Sequence, residues 1–529
     1  ISYAGSNDEG EGLESSLVIK RLQSLGFCTS PIEVPFTIQD GTEDEYLWRP
    51  YQSLSLLSER WGALFSGVPV SPLWWGLYNW ARHDGAYRPR LEDVSRGIRD
   101  NNDVPIIAPE LVTGLFLKRG YMSGSVTRLE KYRQCPFKFY AQYGLKLEPR
   151  KVRSFGAPEI GTFLHANLER LGTQLLSEHK QWRDLDETAQ QELCARVAAG
   201  ILEENRYDED EKTAYDKAIE ERVVRTLQKT VSRLVDWSSR SSFDTMYLEQ
   251  DFGRPNGWDS IKVSLGEDRY LRLVGQIDRI DEYKRDGHTY GMVIDYKSGS
   301  TSVNAQEIYY GLKLQLMTYL LALESAYKKH HDQPMTPAAV VYTYVKNPRT
   351  PAGEPVSYEE AKVLADTNGA LNNKGYFTDD IDMLEKMDKN LLTYKSKGPY
   401  VPVRITGKGT IHSGDVKIVK SSGDFDIMCR YTESIMADTG SAIGKGEFPI
   451  APYQLNKTIP CSYCDYKTVC RFDNERNQYN YLSALNEANA LEKMRDALNG
   501  SSNQAESDAS FGESSNTDSS MTGGDDNGR

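Results

Sequence analysis

Three residues of this chain have the types and the spacing that metal-assisted hydrolysis requires. Asp295 and Lys297 stand two positions apart in the segment GMVIDYK, and Asp278 stands in the preceding segment GQID. Side chains two positions apart on a strand face the same side, so a hairpin of the two segments would gather both carboxylates and the amine. Carboxylate oxygens bind Mg²⁺, which retains waters that can act as nucleophiles. The trio is therefore a candidate site for phosphodiester hydrolysis.

Neighbouring residues could complete such a site. Lys297 would orient or deprotonate the attacking water and offset developing negative charge, and the carbonyl of Tyr296 could add an oxygen ligand. Gln315 and Tyr319 are four positions apart, so on a helix they would share one face. The other interpretation of Asp-x-Lys on a strand is a solvated ion pair.

The flanking sequence predicts an α/β core that would position these residues. Apolar periodicity indicates a helix over 160–176 and a long helix over 304–327. Alternating segments predict strands, and the residues 285–287 have the composition of a hairpin turn. We expect one mixed sheet, formed by strands over 246–252, 261–265, 270–281, 291–297 and 338–345.

A group of cysteines points to a second, separate metal centre. Cys461, Cys464 and Cys470 fall within ten positions, and such crowding in a cysteine-poor chain indicates metal ligation in a reducing compartment. A structural zinc ion would need a fourth cysteine or histidine, and none lies in the twenty residues that follow. Cys135 stands directly before the predicted core. We interpret the remaining cysteines, Cys28, Cys194 and Cys429, as ordinary small apolar residues.

The net charge of −13 is carried by the two ends of the chain. Residues 1–50 contribute −6 and residues 499–529 contribute −5, which leaves −2 for the middle. The segment 118–153 holds ten basic residues against two acidic ones. Binding to nucleic acid needs such a local excess of cations, so the acidic total does not exclude it.

The basic segment also contains aromatic residues, and two interpretations stay open. Cations interleaved with stackable rings suit a single nucleic-acid strand; equally, the rings could belong to the core while the cations form a solvated face. A helix is expected here, with Thr127 and Glu130 as its capping box and Pro136 as its interruption. The candidate DNA contacts are Arg128, Lys131, Arg133 and Lys138.

Composition divides the chain into three parts. Residues 1–120 show helical patterns but no catalytic group, residues 121–498 hold every candidate site, and the Ser/Asn/Gly/Asp-rich residues 499–529 are expected to form a disordered acidic tail. No apolar run is long enough to span a bilayer, so no membrane segment is expected. The chain opens with Ile1 and without a secretory signal, so we expect a fragment of a longer protein. The few, clustered cysteines indicate a reducing compartment, so we expect a cytoplasmic location.

The motifs GQIDRID, VIDYKSG and QLMTY together resemble those of the RecB-type branch of PD-(D/E)xK nucleases. The resemblance implies an α/β fold with a mixed sheet flanked by helices. It implies Mg²⁺ ligation by Asp278, Asp295, the Tyr296 carbonyl and a histidine on a preceding helix, for which His165 in GTFLHANLERL fits. Lys297, Gln315 and Tyr319 would complete the catalytic site.

Two further segments, TRLEKYRQCPFKFY and CSYCDYKTVC, resemble the iron-sulfur staple of AddB-type nuclease domains. This resemblance implies that Cys135, Cys461, Cys464 and Cys470 bind a 4Fe-4S cluster, which would clamp the two ends of the domain together.

The opening segment ISYAGSNDEGEGLESSLVIKRLQ resembles the closing part of the inactivated helicase-like region that precedes the nuclease in the AddB/RexB family. The resemblance implies that residues 1–120 are the C-terminal part of such a domain. What the family implies is a Mg²⁺-dependent DNA exonuclease subunit that works with an AddA/RexA-type helicase-nuclease partner on double-strand break ends. Two alternatives are a catalytically idle DNA-binding scaffold and a free-standing Cas4-like exonuclease. Clustered carboxylates repel one another without a cation, which argues against the idle scaffold.

Overall fold

The computed structural model divides the chain into two compact units, Ile1–Asn101 and Asn102–Arg529. It describes residues 14–27, 43, 47, 49–65, 67–98, 102–148, 157–204, 214–266, 268–299, 301–330, 335–345, 357, 373–394, 397–474 and 476–512. This division after residue 101 precedes the expected boundary near residue 120, which stays a prediction. A helix at Pro109–Phe116 packs against the second unit, so the residues from 102 onward belong to that unit.

The described part of the first unit is helical. Its elements are α1 (Leu17–Ser24), α2 (Pro50–Phe65), α3 (Pro72–His83) and α4 (Arg88–Ile98). Leu54, Leu57 and Trp74 form the centre of a small core of their own. Proline at the first turn of α2 and of α3 suits a helix start, since that position needs no N–H donor. None of the predicted site residues lies in this unit.

The second unit alternates helices and strands. Its N-terminal elements are α5 (Pro109–Phe116), β1 (Leu117–Lys118), β2 (Tyr121–Gly124), α6 (Val126–Gln134), α7 (Pro136–Phe139), α8 (Ala157–Ser177), α9 (Glu187–Glu204) and α10 (Ala214–Arg240). Next come β3 (Asp244–Phe252), β4 (Ile261–Gly266), β5 (Arg269–Leu273), β6 (Gly275–Arg285), β7 (His288–Lys297), α11 (Ala305–Tyr309), α12 (Gln315–His330) and β8 (Met335–Tyr344). The last are β9 (Lys374–Thr378), α13 (Ile381–Met387), β10 (Val419–Lys420), α14 (Ser422–Gly444), β11 (Tyr453–Leu455), α15 (Lys467–Cys470), β12 (Asn480–Leu482) and α16 (Glu487–Gly512).

A six-stranded mixed sheet, in the order β10-β9-β8-β7-β6-β3, forms the middle layer. Strands β7 and β8 are parallel, whereas β6 is antiparallel to both β3 and β7. Alternate residues of β7 enter different cores: Val293 packs with α12 and α14, while Ile294 packs with α8, α9 and α10. This confirms the predicted α/β fold, a mixed sheet flanked by helices.

The prediction of a single sheet was too simple. The predicted strand 270–281 is divided at Val274, and its halves enter different sheets. Strand β5 pairs with β2 and β4 in a separate four-stranded sheet, β1-β2-β5-β4. The composition of a strand does not reveal its partners, because pairing depends on segments far away in the sequence.

The predicted helix over 304–327 consists of two helices. Helix α11 ends at Tyr309, Gly311 adopts a left-handed φ of +73°, and α12 begins at Gln315. A glycine adopts this conformation without the steric penalty of other residues, so the chain turns here.

The predicted capping box was also wrong. Ser125 occupies the N-cap of α6, and it makes no capping hydrogen bond through its side chain. The Glu130 carboxylate binds the N terminus of α12 instead.

The C-terminal helix extends beyond the expected start of the tail. Composition placed that start near residue 499, but α16 continues to Gly512, with the helix formers Gln504, Ala505 and Glu506 in its last part. The rest of the expected tail, 513–529, lies outside the described residues. In the part of the chain that the structure describes, no helix has the length and apolar character needed to cross a membrane.

Candidate functional site

The candidate site lies where strands β6 and β7 separate. The hairpin turn contains Asp286 and Gly287, both with positive φ, and the ladder continues to the pair Arg279 and Ile294. At the next position the Asp278 carboxylate accepts a hydrogen bond from the Tyr296 N–H at 2.7 Å. The predicted hairpin is confirmed, and the Asp278 side chain binds the Tyr296 backbone where the regular ladder ends.

Asp295 and Lys297 share one face of β7, as the spacing predicted. The Lys297 Nζ atom lies 2.5 Å from Asp295 Oδ2 and donates to Gln315 Oε1 at 3.1 Å. The Gln315 amide nitrogen in turn donates to the Tyr319 hydroxyl at 2.8 Å. Because the Tyr319 oxygen accepts this bond, the amide oxygen of Gln315 is turned toward the lysine.

His165 reaches the same end of the sheet from α8. Its Nε2 atom lies 3.0 Å from the Tyr296 carbonyl oxygen, and its Nδ1 atom lies 3.5 Å from Asp278 Oδ2 and 3.8 Å from Glu249 Oε1. The structure thus places His165 beside two of its predicted fellow ligands.

Glu249 is a site residue that the sequence did not reveal. It lies on β3 with a left-handed φ of +45°, a conformation that costs about 1–3 kcal/mol in a residue other than glycine. Its carboxylate, Asp278 and His165 present ligand atoms within 4.8 Å of one another, the only such group of three found among the described residues. Asp295 lies outside this group, with its carboxylate on the Lys297 amine. An acidic residue in a strand-like segment was the available signal, but its position depends on how β3 pairs with β6.

Burial makes the two aspartates reluctant to ionise. It raises the pKa of Asp278 to about 6, with a further contribution from the Glu249 charge. Burial and the nearby Asp278 charge raise the pKa of Asp295 to about 7. Burial alone would lower the pKa of His165, but the neighbouring carboxylates of Glu249 and Asp278 outweigh burial and raise it.

These residues fit a divalent cation. The donor set consists of carboxylates, a backbone carbonyl and an imidazole, and hard cations such as Mg²⁺ favour its oxygen atoms. The Asp295 Oδ2 atom is buried and has no hydrogen bond of good geometry in the described structure, although it forms the ion pair with Lys297. A bound cation would offset the repulsion between the buried acids.

Tyr296, whose backbone contributes twice to the site, is anchored on the opposite face of the sheet. Its hydroxyl accepts a hydrogen bond from the fully buried Arg279 guanidinium at 3.5 Å. Arg279 forms two hydrogen bonds to Asp281, at 2.7 and 2.6 Å, and lies against the rings of Trp182 and Trp237. This buried ion pair fixes the strand beneath the site.

The four predicted cysteines also come together. They line a cavity of about 150 Å³, together with mostly apolar side chains. Cys135 is the C-cap of α6. Burial raises the pKa of its thiol to about 11, although hydrogen bonds from the backbone of Lys138 and Phe137 act to lower it. Donors of this kind are typical of thiolates that hold iron-sulfur clusters.

The four sulfur atoms are not gathered as closely as the ligands of a single metal ion. Four thiolates at 2.3 Å from one tetrahedral zinc ion would lie about 3.8 Å apart. No three of these sulfur atoms lie within 4.8 Å of one another.

The basic segment has a mixed structure. Phe137 and Phe139 are buried, which favours the interpretation of the aromatic residues as core. Arg128 and Lys131 lie over the ring of Tyr143. The other two candidates have structural contacts: Arg133 donates to the Tyr310 carbonyl oxygen, and Lys138 lines the cysteine cavity.

Known proteins resemble the chain over most of its length. A protein of Clostridioides difficile is 30% identical over 517 residues, which are 94% of this chain and 43% of that protein. A Desulforudis audaxviator protein is 31% identical over 92% of this chain and 41% of its own length. Both are named as a subunit of an ATP-dependent helicase/deoxyribonuclease. The chain thus spans less than half the length of these curated relatives.

Two family models match separate regions. Residues 40–97 match the fifth domain of the ATP-dependent helicase/deoxyribonuclease AddB. Residues 123–471 match the PD-(D/E)XK nuclease superfamily, and this region contains the sheet, the acidic site and the four cysteines. The chain belongs to the PD-(D/E)XK nuclease superfamily.

Proposed function

We propose that this chain hydrolyses phosphodiester bonds of DNA in a Mg²⁺-dependent reaction, as the exonuclease part of a helicase-nuclease complex. The observation that carries the proposal is the convergence of Asp278, Asp295 and Lys297 with His165 at one end of the sheet. The names of the relatives, which describe a deoxyribonuclease, support DNA as the substrate.

The residues divide the work of such a reaction. Asp278, Asp295, His165 and the Tyr296 carbonyl would hold Mg²⁺, which when bound supplies Lewis acidity and an acidic water. Lys297 would orient the attacking water and offset negative charge on the phosphate. Its amine is held between Asp295 and Gln315.

Gln315 and Tyr319 would position the Lys297 amine. The hydroxyl of Tyr319 fixes the orientation of the Gln315 amide, so a neutral acceptor faces Lys297. Such supporting contacts keep a reactive group within the narrow range of positions that catalysis requires.

We infer that Cys135, Cys461, Cys464 and Cys470 hold a 4Fe-4S cluster with a structural role. The cavity and its apolar lining support this assignment. Cysteines that bind a metal centre and form no disulfide suit a reducing compartment, and we place the protein in the cytoplasm on that ground.

We further propose that the chain works with an AddA/RexA-type helicase-nuclease subunit on double-strand break ends. The match to an AddB domain supports a subunit of this kind. Arg128 and Lys131, which lie beside Tyr143, are the proposed phosphate contacts. No specific observation favours the idle scaffold or the free-standing exonuclease.

The test is cleavage of linear DNA by anaerobically purified protein, with and without Mg²⁺. Asp295→Ala should lower the rate by roughly 10²–10³-fold, the usual effect of removing one strong transition-state contact. Asp438→Ala, on the exposed surface of α14, is the matched control. Equal cleavage by wild type and Asp295→Ala would contradict the catalytic assignment. If the wild-type protein binds DNA but does not cleave it, the chain is the catalytically idle DNA-binding scaffold.

A further inference from the structure

Glu130, a residue outside the proposed chemistry, caps the helix that carries Gln315. One oxygen of its carboxylate accepts hydrogen bonds from the backbone N–H groups of Leu314 at 2.7 Å and Gln315 at 3.1 Å. The first N–H groups of a helix have no partner within the helix, and a carboxylate is favoured there by the helix dipole. Glu130 therefore fixes the N terminus of α12 from a different helix, α6.

A second contact from α6 holds the segment that leads into α12. The Arg133 guanidinium donates to the Tyr310 carbonyl oxygen at 3.1 Å, and it packs where a side chain on Gly311 would project. Helix α6 thus binds the chain on both sides of the turn between α11 and α12.

The anchored end of α12 is the end that meets the active site. Gln315 is the first residue of α12, and its side chain holds the Lys297 amine at 3.1 Å. A single residue, Gln315, therefore separates Glu130 from the lysine. Helix α6 ends at Cys135, five residues after Glu130. This one helix therefore contacts both the four-cysteine centre and the helix that carries Gln315.

We propose, on the basis of the nuclease function above, that Glu130 is a positioning residue for Lys297. It fixes the first turn of α12, and this places the Gln315 amide oxygen where it holds the lysine amine beside Asp295. The role depends on an oxygen acceptor at the correct distance, and the negative charge is secondary.

Variants of Glu130 separate reach from charge. Glu130→Ala removes the acceptor and should lower kcat about 10–100-fold, as loss of a supporting contact generally does, with KM for DNA within about twofold. Glu130→Gln keeps one oxygen, which can accept both hydrogen bonds, and should restore most of the rate. Thr127→Ala, an exposed position on the same helix, should match wild type.

Amide hydrogen exchange gives a readout that does not depend on cleavage. In Glu130→Ala the peptides that cover 312–320 should exchange faster, whereas Glu130→Gln and Thr127→Ala should match wild type. The visible spectrum should be unchanged in all three, which excludes loss of the cysteine centre as the cause. Unchanged exchange and unchanged kcat in Glu130→Ala would overturn the proposal.

If Glu130→Ala does not fold, the variant Glu130→Asp, with its shorter carboxylate side chain, still tests the positioning role. Glu130→Asp keeps the charge but cannot reach α12, so it should be slower than Glu130→Gln. An equal or faster rate would show that charge dominates and would overturn the positioning role. If Asp295→Ala cleaves as well as wild type, the nuclease assignment fails, while the exchange measurement still reports on Glu130.

Discussion

At the scale of single residues, the site concentrates acids that are costly to ionise. Asp278 and Asp295 come from neighbouring strands and are both buried, and Glu249 adds a third carboxylate beside Asp278. Buried charges are stable only when they are paired or bound to a metal ion. Proton and metal binding at this site must therefore be coupled.

The first prediction is that Mg²⁺ binding weakens as the pH falls from 8 to 5.5. Cations bind the deprotonated carboxylates, and the pKa values of Asp278 and Asp295 are raised to about 6 and about 7. Below these values each proton competes with the cation, with about a tenfold effect per pH unit. Titration calorimetry without DNA measures the affinity, and a constant affinity over this range would contradict the coupling.

The same shifts determine how stability depends on pH. A carboxyl group whose pKa is raised on folding stabilises the fold at low pH, and this contribution is lost as the pH rises through the folded value. The thermal midpoint of the metal-free protein should therefore fall between pH 5.5 and 8, and stabilisation by Mg²⁺ should grow. In the control Asp295→Asn, the trend should be weaker.

The second prediction concerns the ligand group on the His165 side. Glu249→Gln and His165→Ala should each weaken Mg²⁺ binding about 10–100-fold, the usual range for residues that hold or support metal ligands. Calorimetry under the same conditions measures this, with the exposed Glu178→Gln as the control. If Glu249→Gln binds Mg²⁺ like wild type, Glu249 lies beside the site without contributing to it.

The sequence reveals a residue's role when its contacts are with residues nearby in the sequence, and does not when they are with distant ones. Asp295 with Lys297, and Gln315 with Tyr319, were predicted because strand and helix periods place them together. Glu130 and Glu249 were not, because their contacts depend on tertiary pairing. Glu130 lies 184 positions from Leu314, and no local pattern encodes that contact.

At the scale of elements, the strand beneath the site depends on the pair Arg279–Asp281. Both side chains are buried, and Arg279 also binds the hydroxyl of Tyr296. Removing one member of a buried ion pair leaves an uncompensated charge, which costs about 3–5 kcal/mol.

The third prediction follows from that pair. Asp281→Ala should lower the free energy of unfolding by about 3–5 kcal/mol and should displace Tyr296, so Mg²⁺ binding weakens as well. Urea denaturation followed by circular dichroism measures the first effect. Arg170→Ala, which breaks an exposed ion pair with Glu204, should leave the midpoint nearly unchanged. Equal midpoints for both variants would show that the buried pair is not needed.

Elements were predicted well where periodicity is strong and less well where chain direction changes. Helix α8 and the hairpin β6–β7 follow from local patterns. The turn at Gly311 and the separation of β5 from β6 did not, because apolar periodicity continues across both points. In each case the break is stabilised by a distant partner: Arg133 at the turn, and β2 beside β5.

At the scale of the whole molecule, the first and last parts of the second unit pack together. The Ile107 N–H donates to Gly446 at 3.1 Å, and the Phe137 N–H donates to Pro449 at 3.2 Å. The Tyr132 hydroxyl donates to the carbonyl oxygen of Glu447 at 2.7 Å. The four cysteines lie together at the same place, so the proposed cluster would join segments over three hundred residues apart.

The fourth prediction tests this link. Cys464→Ser should abolish the visible absorption of the cluster and lower the thermal midpoint. Hydrogen exchange should increase in both of the segments that the cluster would join, in peptides covering 126–144 and 446–482. Cys194→Ala, which removes a buried thiol from the other core, should keep the absorption. A colourless wild-type protein that contains zinc would overturn the cluster assignment.

The order of synthesis determines when these distant segments can pack together. A ribosome delivers the chain from its N terminus, so every proposed catalytic residue up to Tyr319 emerges before Glu447, Pro449 and the three late cysteines. Until those arrive, α6 lacks the partners that hold its Cys135 end. A nascent or prematurely released chain would therefore carry all the proposed catalytic side chains, but without the contacts to Glu447 and Pro449 that hold α6 and α7. Translation of the last segment is then the step that completes the anchoring of α6, the helix that carries Glu130.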